Sequence, residues 1–166
     1  MSPSAPPGWS PARPTSLAGY FEALSRPVFS TGMSYRVVEA KWTGISAAFH
    51  GFDPARVAAM TPADVERLLD DPGVIRNRKK LEATIQNAER LLELDGEPGG
   101  FAAWLDSLGS FEATVAGLRG EFRFLGDNGA YLFLWTIDRP VPPHQEWFQA
   151  HRQPQRQAQR RRSSVI

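Results

Sequence analysis

Residues 62–94 read PADVERLLDDPGVIRNRKKLEATIQNAERLLEL, and this stretch decides the fold. Val65, Leu68 and Leu69 give a short helix its inward face. Thr61-Pro62-Ala63-Asp64 supplies its start, a cap followed by proline at the first helical position. Leu81, Ile85, Ala88, Leu91 and Leu92 recur at helical spacing through a second, longer helix. Between the two, Pro72-Gly73 breaks the chain, and Arg76, Arg78, Lys79 and Lys80 place four cations within five positions. The pattern predicts a helix-hairpin-helix: helix 62–71, turn 72–76, helix 77–94. A glycine without Cβ lets the backbone approach a ligand closely, and the free N–H groups opening the second helix form an anion site. Gly73, Val74 and Ile75 contribute those amides, with the Val74 and Ile75 side chains packing inward. Arg76, Arg78, Lys79 and Lys80 are expected to hold neighbouring phosphates of a nucleic-acid backbone without reading its sequence. From spacing alone, the same residues also fit an ordinary helix–helix connector with a solvated basic face.

Outward from the hairpin the chain continues as helices. Leu17, Tyr20, Phe21 and Leu24 mark one, which Pro27 ends or kinks. Ser34 is placed to cap the next, striped by Val37, Val38, Trp42, Ile45 and Phe49. Asp53-Pro54 opens a short helix to about Met60. Past Gly96, two more short helices are predicted, one from Phe101, Trp104, Leu105 and Leu108 and one over 111–118. The run from about Asp127 to Ile137 is nearly all apolar and belongs at the centre. Without a convincing alternating strand, the fold class is all-α.

The termini differ from this body. Residues 1–15 hold five prolines and little apolar periodicity, which predicts a disordered arm. Residues 152–166 hold five arginines and no acid, which predicts a disordered basic tail. The helical domain is thus expected over 16–151. Its charge is telling: without the tail, 14 cations face 18 acids, so residues 1–151 carry −4. Any contact with nucleic acid must therefore be a local patch plus a tail. The tail fits non-specific DNA affinity by counterion release, and equally a solubilising end. Cysteine is absent, so disulfides and thiolate metal sites are excluded, and a cytosolic location fits. No signal-peptide pattern and no apolar run of roughly 20 residues is present. His50, His144 and His151 share no metal-ligand spacing, so no metal and no cofactor is expected. His144 and Glu146 in PPHQEW fit either a hydrogen-bonded pair or, more plainly, a surface or C-terminal clamp.

The run FDPARVAAMTPADVERLLDDPGVIRNRKKLEATIQNA, Phe52 to Ala88, resembles the type I DNA-3-methyladenine glycosylases within the helix-hairpin-helix glycosylase superfamily. The resemblance begins near YFEAL at Tyr20, continues through GMSYRVVEAKW, and returns at FRFLG, Phe122 to Gly126. It covers about 120 residues. It implies an all-α monomer that binds double-stranded DNA, flips an alkylated purine such as 3-methyladenine into a pocket, and hydrolyses the N-glycosidic bond. It also implies DNA-backbone contacts at Gly73, Ile75, Arg76, Arg78 and Lys80. The family's base-stacking Trp corresponds to Tyr35 in Gly32-Met33-Ser34-Tyr35, which puts Met33, Ser34 and Tyr35 at the base pocket. Its recognition Glu corresponds to Pro27. Its structural zinc, held by two Cys and two His, has no counterpart in a chain without cysteine. These departures mark a divergent branch.

With Pro27 at the recognition position, another group must supply any chemistry. Glu22 and Glu39 stand on the helices either side of the 27–34 loop, and Asp127 opens the apolar helix, so these three are the candidate catalytic carboxylates. Each also has a plainer reading, capping for Asp127 and a solvated helix face for the glutamates. Tyr35 reads either as a stacking platform or as ordinary core packing. Three functions follow: a glycosylase for alkylated purines, a family member that binds damaged DNA without catalysis, and a helical protein that touches no nucleic acid.

Overall fold

The computed structural model describes residues 9–147, 149 and 150. Helix starts are fixed by local chemistry. Ser16, Ser34 and Asp53 accept main-chain N–H bonds at the starts of α1 (Leu17–Ser30), α2 (Tyr35–Ala48) and α3 (Pro54–Ala58). Thr61 and Asp64 form a reciprocal capping box at α4 (Pro62–Leu69). Asn77 Oδ1 accepts from Lys80 N at 3.1 Å and starts α5 (Arg78–Asp95). α6 (Gly100–Ser107), α7 (Phe111–Glu121) and α8 (Asp127–Thr136) follow, and residues 144–147 are helical. No strand occurs among the described residues, so the all-α expectation holds. No helix among them is long and apolar enough to cross a membrane.

The apolar stripe of α5 is the spine. α3, α4, α6 and α1 pack on it, and α1 in turn packs on α8. The run from Ala130 to Leu134 in α8 is wholly buried, as its composition predicted. α1 does not end at Pro27. It continues to Ser30 with proline inside it, because Val28 and Phe29, both 0% exposed, are anchored in the core. That burial outweighs the lost i→i−4 hydrogen bond. Between α2 and α3 the chain reverses through three left-handed residues, His50, Gly51 and Phe52 (φ 55, 66 and 60°). The Phe52 ring stacks on Trp42 with ring centroids 5.2 Å apart, which holds a backbone that a bulky residue otherwise avoids.

One expectation about the ends changes. Trp9, within the stretch read as a disordered arm, is only 7% exposed, and Ala12 N bonds Thr136 O at 2.9 Å. Residues 9–15 are therefore strapped across α1 and α8, whereas 1–8 and the arginine tail lie outside the described residues. At the other end, His144 packs edge-on against Tyr131, which stacks on Trp147. This is the clamp expected from PPHQEW.

Candidate base-binding cleft and hairpin

The hairpin forms as read, with α4 ending two residues sooner than expected. Val74 and Ile75 are buried at 1% and 7% exposure, and they fix the turn on the core. Its position on α2 is equally tight. A Cβ at Gly44 would stand 2.5 Å from the Gly73 carbonyl oxygen, so only glycine admits this approach. Lys41 Nζ donates to Pro72 O at 2.9 Å.

The four hairpin cations have different fates. Arg76 and Lys79 are exposed and make no ion pair among the described residues. Arg78 donates to Glu66 at 2.6 Å and lies 3.8 Å from Glu82, so acids on the protein itself compete for it. Lys80 is not a surface cation at all. It is 3% exposed, and its Nζ donates to Phe29 O at 2.8 Å and Thr31 O at 2.5 Å. Burial holds its ammonium below the ordinary lysine value. The expectation that Lys80 touches phosphate is therefore corrected. Its place on α5 puts it on the inward stripe with Thr84, Asn87 and Leu91, and there it caps the C-terminal end of α1.

That end of α1 forms one wall of a cleft of about 500 Å³. Pro27 and Ser30 come from α1, Thr31, Gly32 and Met33 from the loop, and Tyr35 from α2. The opposite wall is the first turns of α8, including Asn128 and Leu132. Gly129 lets the walls close up, since a Cβ there would meet Pro27 Cβ at 3.3 Å. The polar groups are neutral. Ser30 Oγ donates to Arg26 O, Thr31 Oγ1 to Pro27 O, and Asn128 Nδ2 to Tyr35 Oη at 3.2 Å. Trp9 meets the Tyr35 ring edge-on at 5.8 Å.

Of the base-pocket residues read from sequence, Tyr35 and Met33 line the cleft and Ser34 does not. Ser34 caps α2, accepting from Arg36 N at 3.2 Å. None of the three candidate carboxylates lines it either. Glu22 accepts from Trp42 Nε1 at 2.9 Å and lines a separate cavity of about 280 Å³ with Arg13 and Arg26. Glu22 and Glu39 lie 3.8 and 3.9 Å from the Arg26 guanidinium, which sits between the Trp9 and Trp42 rings. Asp127 is not the cap of α8, a place taken by Gly126; it is the first helical residue and pairs with Arg119 at 2.8 Å. Asn128 is what sequence reasoning missed. The signal was Gly126-Asp127-Asn128-Gly129, where Gly126 leaves open space before the helix and Gly129 lets α8 approach Pro27.

A family model for methyladenine glycosylases covers residues 9–134. The chain belongs to this family. It is 44% identical over 80 residues to DNA-3-methyladenine glycosylase 1 of Escherichia coli, covering 47% of this chain and 43% of that one. It is 36% identical over 75 residues to DNA-3-methyladenine glycosylase of Haemophilus influenzae, covering 45% and 40%. The chain thus spans under half the length of these two relatives. Solved structures overlay more fully. A 3-methyladenine DNA glycosylase I from Staphylococcus aureus aligns with TM-score 0.69 at 25% identity, covering 82% of this chain and 89% of that one. A variant glycosylase I in complex with 3-methyladenine aligns with TM-score 0.67 at 26% identity, covering 78% and 80%.

The zinc that the resemblance implied does not fit here. The chain has no cysteine, and among the described residues no three His, Asp or Glu side chains converge.

Proposed function

We propose that this protein is a base-excision glycosylase acting as a monomer on double-stranded DNA, in the bacterial cytoplasm, and removing alkylated purines such as 3-methyladenine. The observation that carries this reading is the cleft walled by Tyr35 and Asn128, tied to the hairpin helix through the Lys80 bonds to the end of α1. Arg76 and Lys79 suit the phosphate backbone, whereas the Gly73 and Val74 amides expected to join them are already taken by Asp71, the first by its side chain at 2.8 Å and the second by its carbonyl at 3.4 Å. The cleft suits one extruded purine, whose removal from the stack costs a few kcal/mol, least for a damaged base. The Tyr35 ring offers a π face to a cationic base.

The chemistry asks little of the protein. A purine alkylated at N3 or N7 carries a positive charge and leaves as a neutral molecule. Water oxygen bonds to C1′ as the C1′–N bond breaks, the departing base takes the electron pair, and the water proton passes to solvent. No acid is needed to protonate the leaving group. The residues have to hold the base out of the stack and leave room for one water.

The absence of a carboxylate among the described lining residues favours a second reading, a damage-binding module without catalysis. One assay separates the two. Purified protein is incubated with alkylated duplex DNA and released bases are resolved by chromatography. Free 3-methyladenine or 7-methylguanine is expected. Salt-sensitive DNA binding without base release, beside an active control enzyme, would leave the second reading standing.

A further inference from the structure

Among the described residues, three large apolar side chains stand exposed: Met33, Val37 and Phe124, at 36, 41 and 40%. All three lie at or next to residues that line the cleft. Met33 lines it, and Val37 follows Tyr35 by two positions on α2. Phe124 precedes the lining Gly126 by two positions, and its carbonyl accepts from the Thr31 hydroxyl at 3.5 Å. Phe124 is also strained. Its φ of 57° is left-handed, a region that bulky residues avoid. The surroundings enforce it. Asn87, 2% exposed, accepts from Arg123 N at 2.8 Å and donates to Arg123 O at 3.1 Å. Phe122 and Leu125 on either side are buried. Folding gains little from a strained backbone that leaves an aromatic ring in solvent, so the outlier points to a partner.

The charges say which kind. Arg123 beside Phe124 and Arg36 beside Val37 are exposed and make no ion pair among the described residues. Segments 31–36 and 122–126 contain no acid, and Asp127, next in the chain, is held by Arg119. Apolar side chains next to free arginines suit a polyanion that also offers ring faces, a nucleic-acid strand. We infer that the 122–126 segment is a second DNA-contact element, which favours duplex with a base missing from its stack over intact duplex. The inference rests on the proposed function and adds where the strand lies beside the cleft. Arg123 takes a phosphate, and the Phe124 ring covers a base face left bare when its neighbour is out of the stack. In an intact duplex each face already has a stacking partner, so the ring gains nothing there. Arg36 takes a second phosphate from the α2 side. Lys80 and Asn87 stand seven residues apart, about two turns of α5. Lys80 fixes the end of α1 and Asn87 fixes the 122–126 segment, so one helix sets the position of both.

The test uses the full chain and two duplexes of one sequence, one intact and one with a stable abasic analogue at its centre. Affinity is read by fluorescence anisotropy over a range of salt, alongside base release from alkylated duplex DNA. The parent is expected to bind the abasic duplex more tightly. Phe124→Ser is expected to lose roughly 10- to 100-fold on the abasic duplex, the scale of one stacked base, and almost nothing on the intact one. Phe124→Gly, which accepts the left-handed backbone, is expected to show the same loss while melting no lower than the parent. Arg123→Gln and Arg36→Gln are each expected to reduce the slope of log affinity against log salt by about 1. Equal parental affinity for the two duplexes, parental binding by both Phe124 variants, or a lower melting temperature for Phe124→Gly overturns the inference. If the parent favours the abasic duplex through Phe124 but releases no base, catalysis falls and the contact element stands. If it releases base and the Phe124 and Arg123 variants bind and release as the parent does, the reverse holds. No binding and no release overturns both.

Discussion

Lys80 Nζ lies 2.5 Å from the carbonyl oxygen of Thr31, a residue 49 positions earlier in the chain. The same ammonium is 2.8 Å from Phe29 O. The first turn of α5 therefore also closes the end of α1, which walls the cleft. A cation at a helix C-terminus is favourable, and the carbonyls there lack helical partners. The hairpin and the cleft are thus fixed to each other through one side chain.

Removing that link should weaken the fold without touching the phosphate contacts. Lys80→Met keeps the apolar stem but strands the buried Phe29 carbonyl and removes the donor to Thr31 O, for a loss of about 1–3 kcal/mol. Urea unfolding measures it. The salt slope of binding to undamaged duplex should stay at the wild-type value, and a smaller slope would restore Lys80 to the DNA surface.

The same lysine gives a pH dependence of defined sign. Burial lowers its pKa in the folded state from the ordinary 10.5. Between the lowered value and 10.5 the unfolded chain binds a proton that the folded protein does not, so this group makes stability rise with pH through that window. Below the window, burying the charge counts against folding. Neutral Lys80 still has protons for both carbonyls. The stability advantage of wild type over Lys80→Met should therefore widen as pH rises toward the ordinary lysine value of 10.5. A constant or shrinking difference contradicts the assignment.

The remaining hairpin cations should separate by their pairing. Arg76→Ala and Lys79→Ala are each expected to reduce the slope of log affinity against log salt by about 1. Arg78→Ala should lower it less, because Glu66 already holds that guanidinium at 2.6 Å. Equal effects at all three positions would show that DNA displaces Glu66 entirely.

Gly44→Ala should act on the hairpin from a distance. The new methyl would collide with the Gly73 carbonyl oxygen, which is backbone and cannot rotate away. A loss of about 1–3 kcal/mol is expected, with weaker DNA binding as the turn is pushed outward. Lys41→Met, which removes only the bond to Pro72 O, should have the milder effect in the same two measurements.

Trp9→Ala tests whether the N-terminal strap belongs to the site. Trp9 is buried against Tyr35 and Arg26, so its truncation should cost about 3 kcal/mol. It should also reduce base release beyond that loss when assayed at a temperature where the variant stays folded. Unchanged release would confine Trp9 to stability.

The hairpin was legible because its signals are local. The Thr61–Asp64 capping box, the Pro72-Gly73 break, the Asn77 cap and the apolar stripe of α5 all act within a few residues. Lys80 misled because a basic run beside a turn reads as one patch. Its position four residues before Thr84 and seven before Asn87, both buried, carried the contrary signal. The three acids misled for a similar reason: a helix position says which side a residue faces, not which partner it meets. Arg26 takes Glu22 from its own helix and Glu39 from α2, and Arg119 of α7 takes Asp127 of α8.

By itself, then, the sequence determined the all-α class, the helix starts, the hairpin and the family pattern, because caps, turns and apolar periodicity are short-range physics. Only the tertiary structure decided which charges reach solvent and which side chains face the cleft. Those depend on how α1, α2, α5 and α8 pack. A few ångströms of approach at Gly44 and Gly129, and one buried ammonium at the end of α1, set the cleft beside the hairpin.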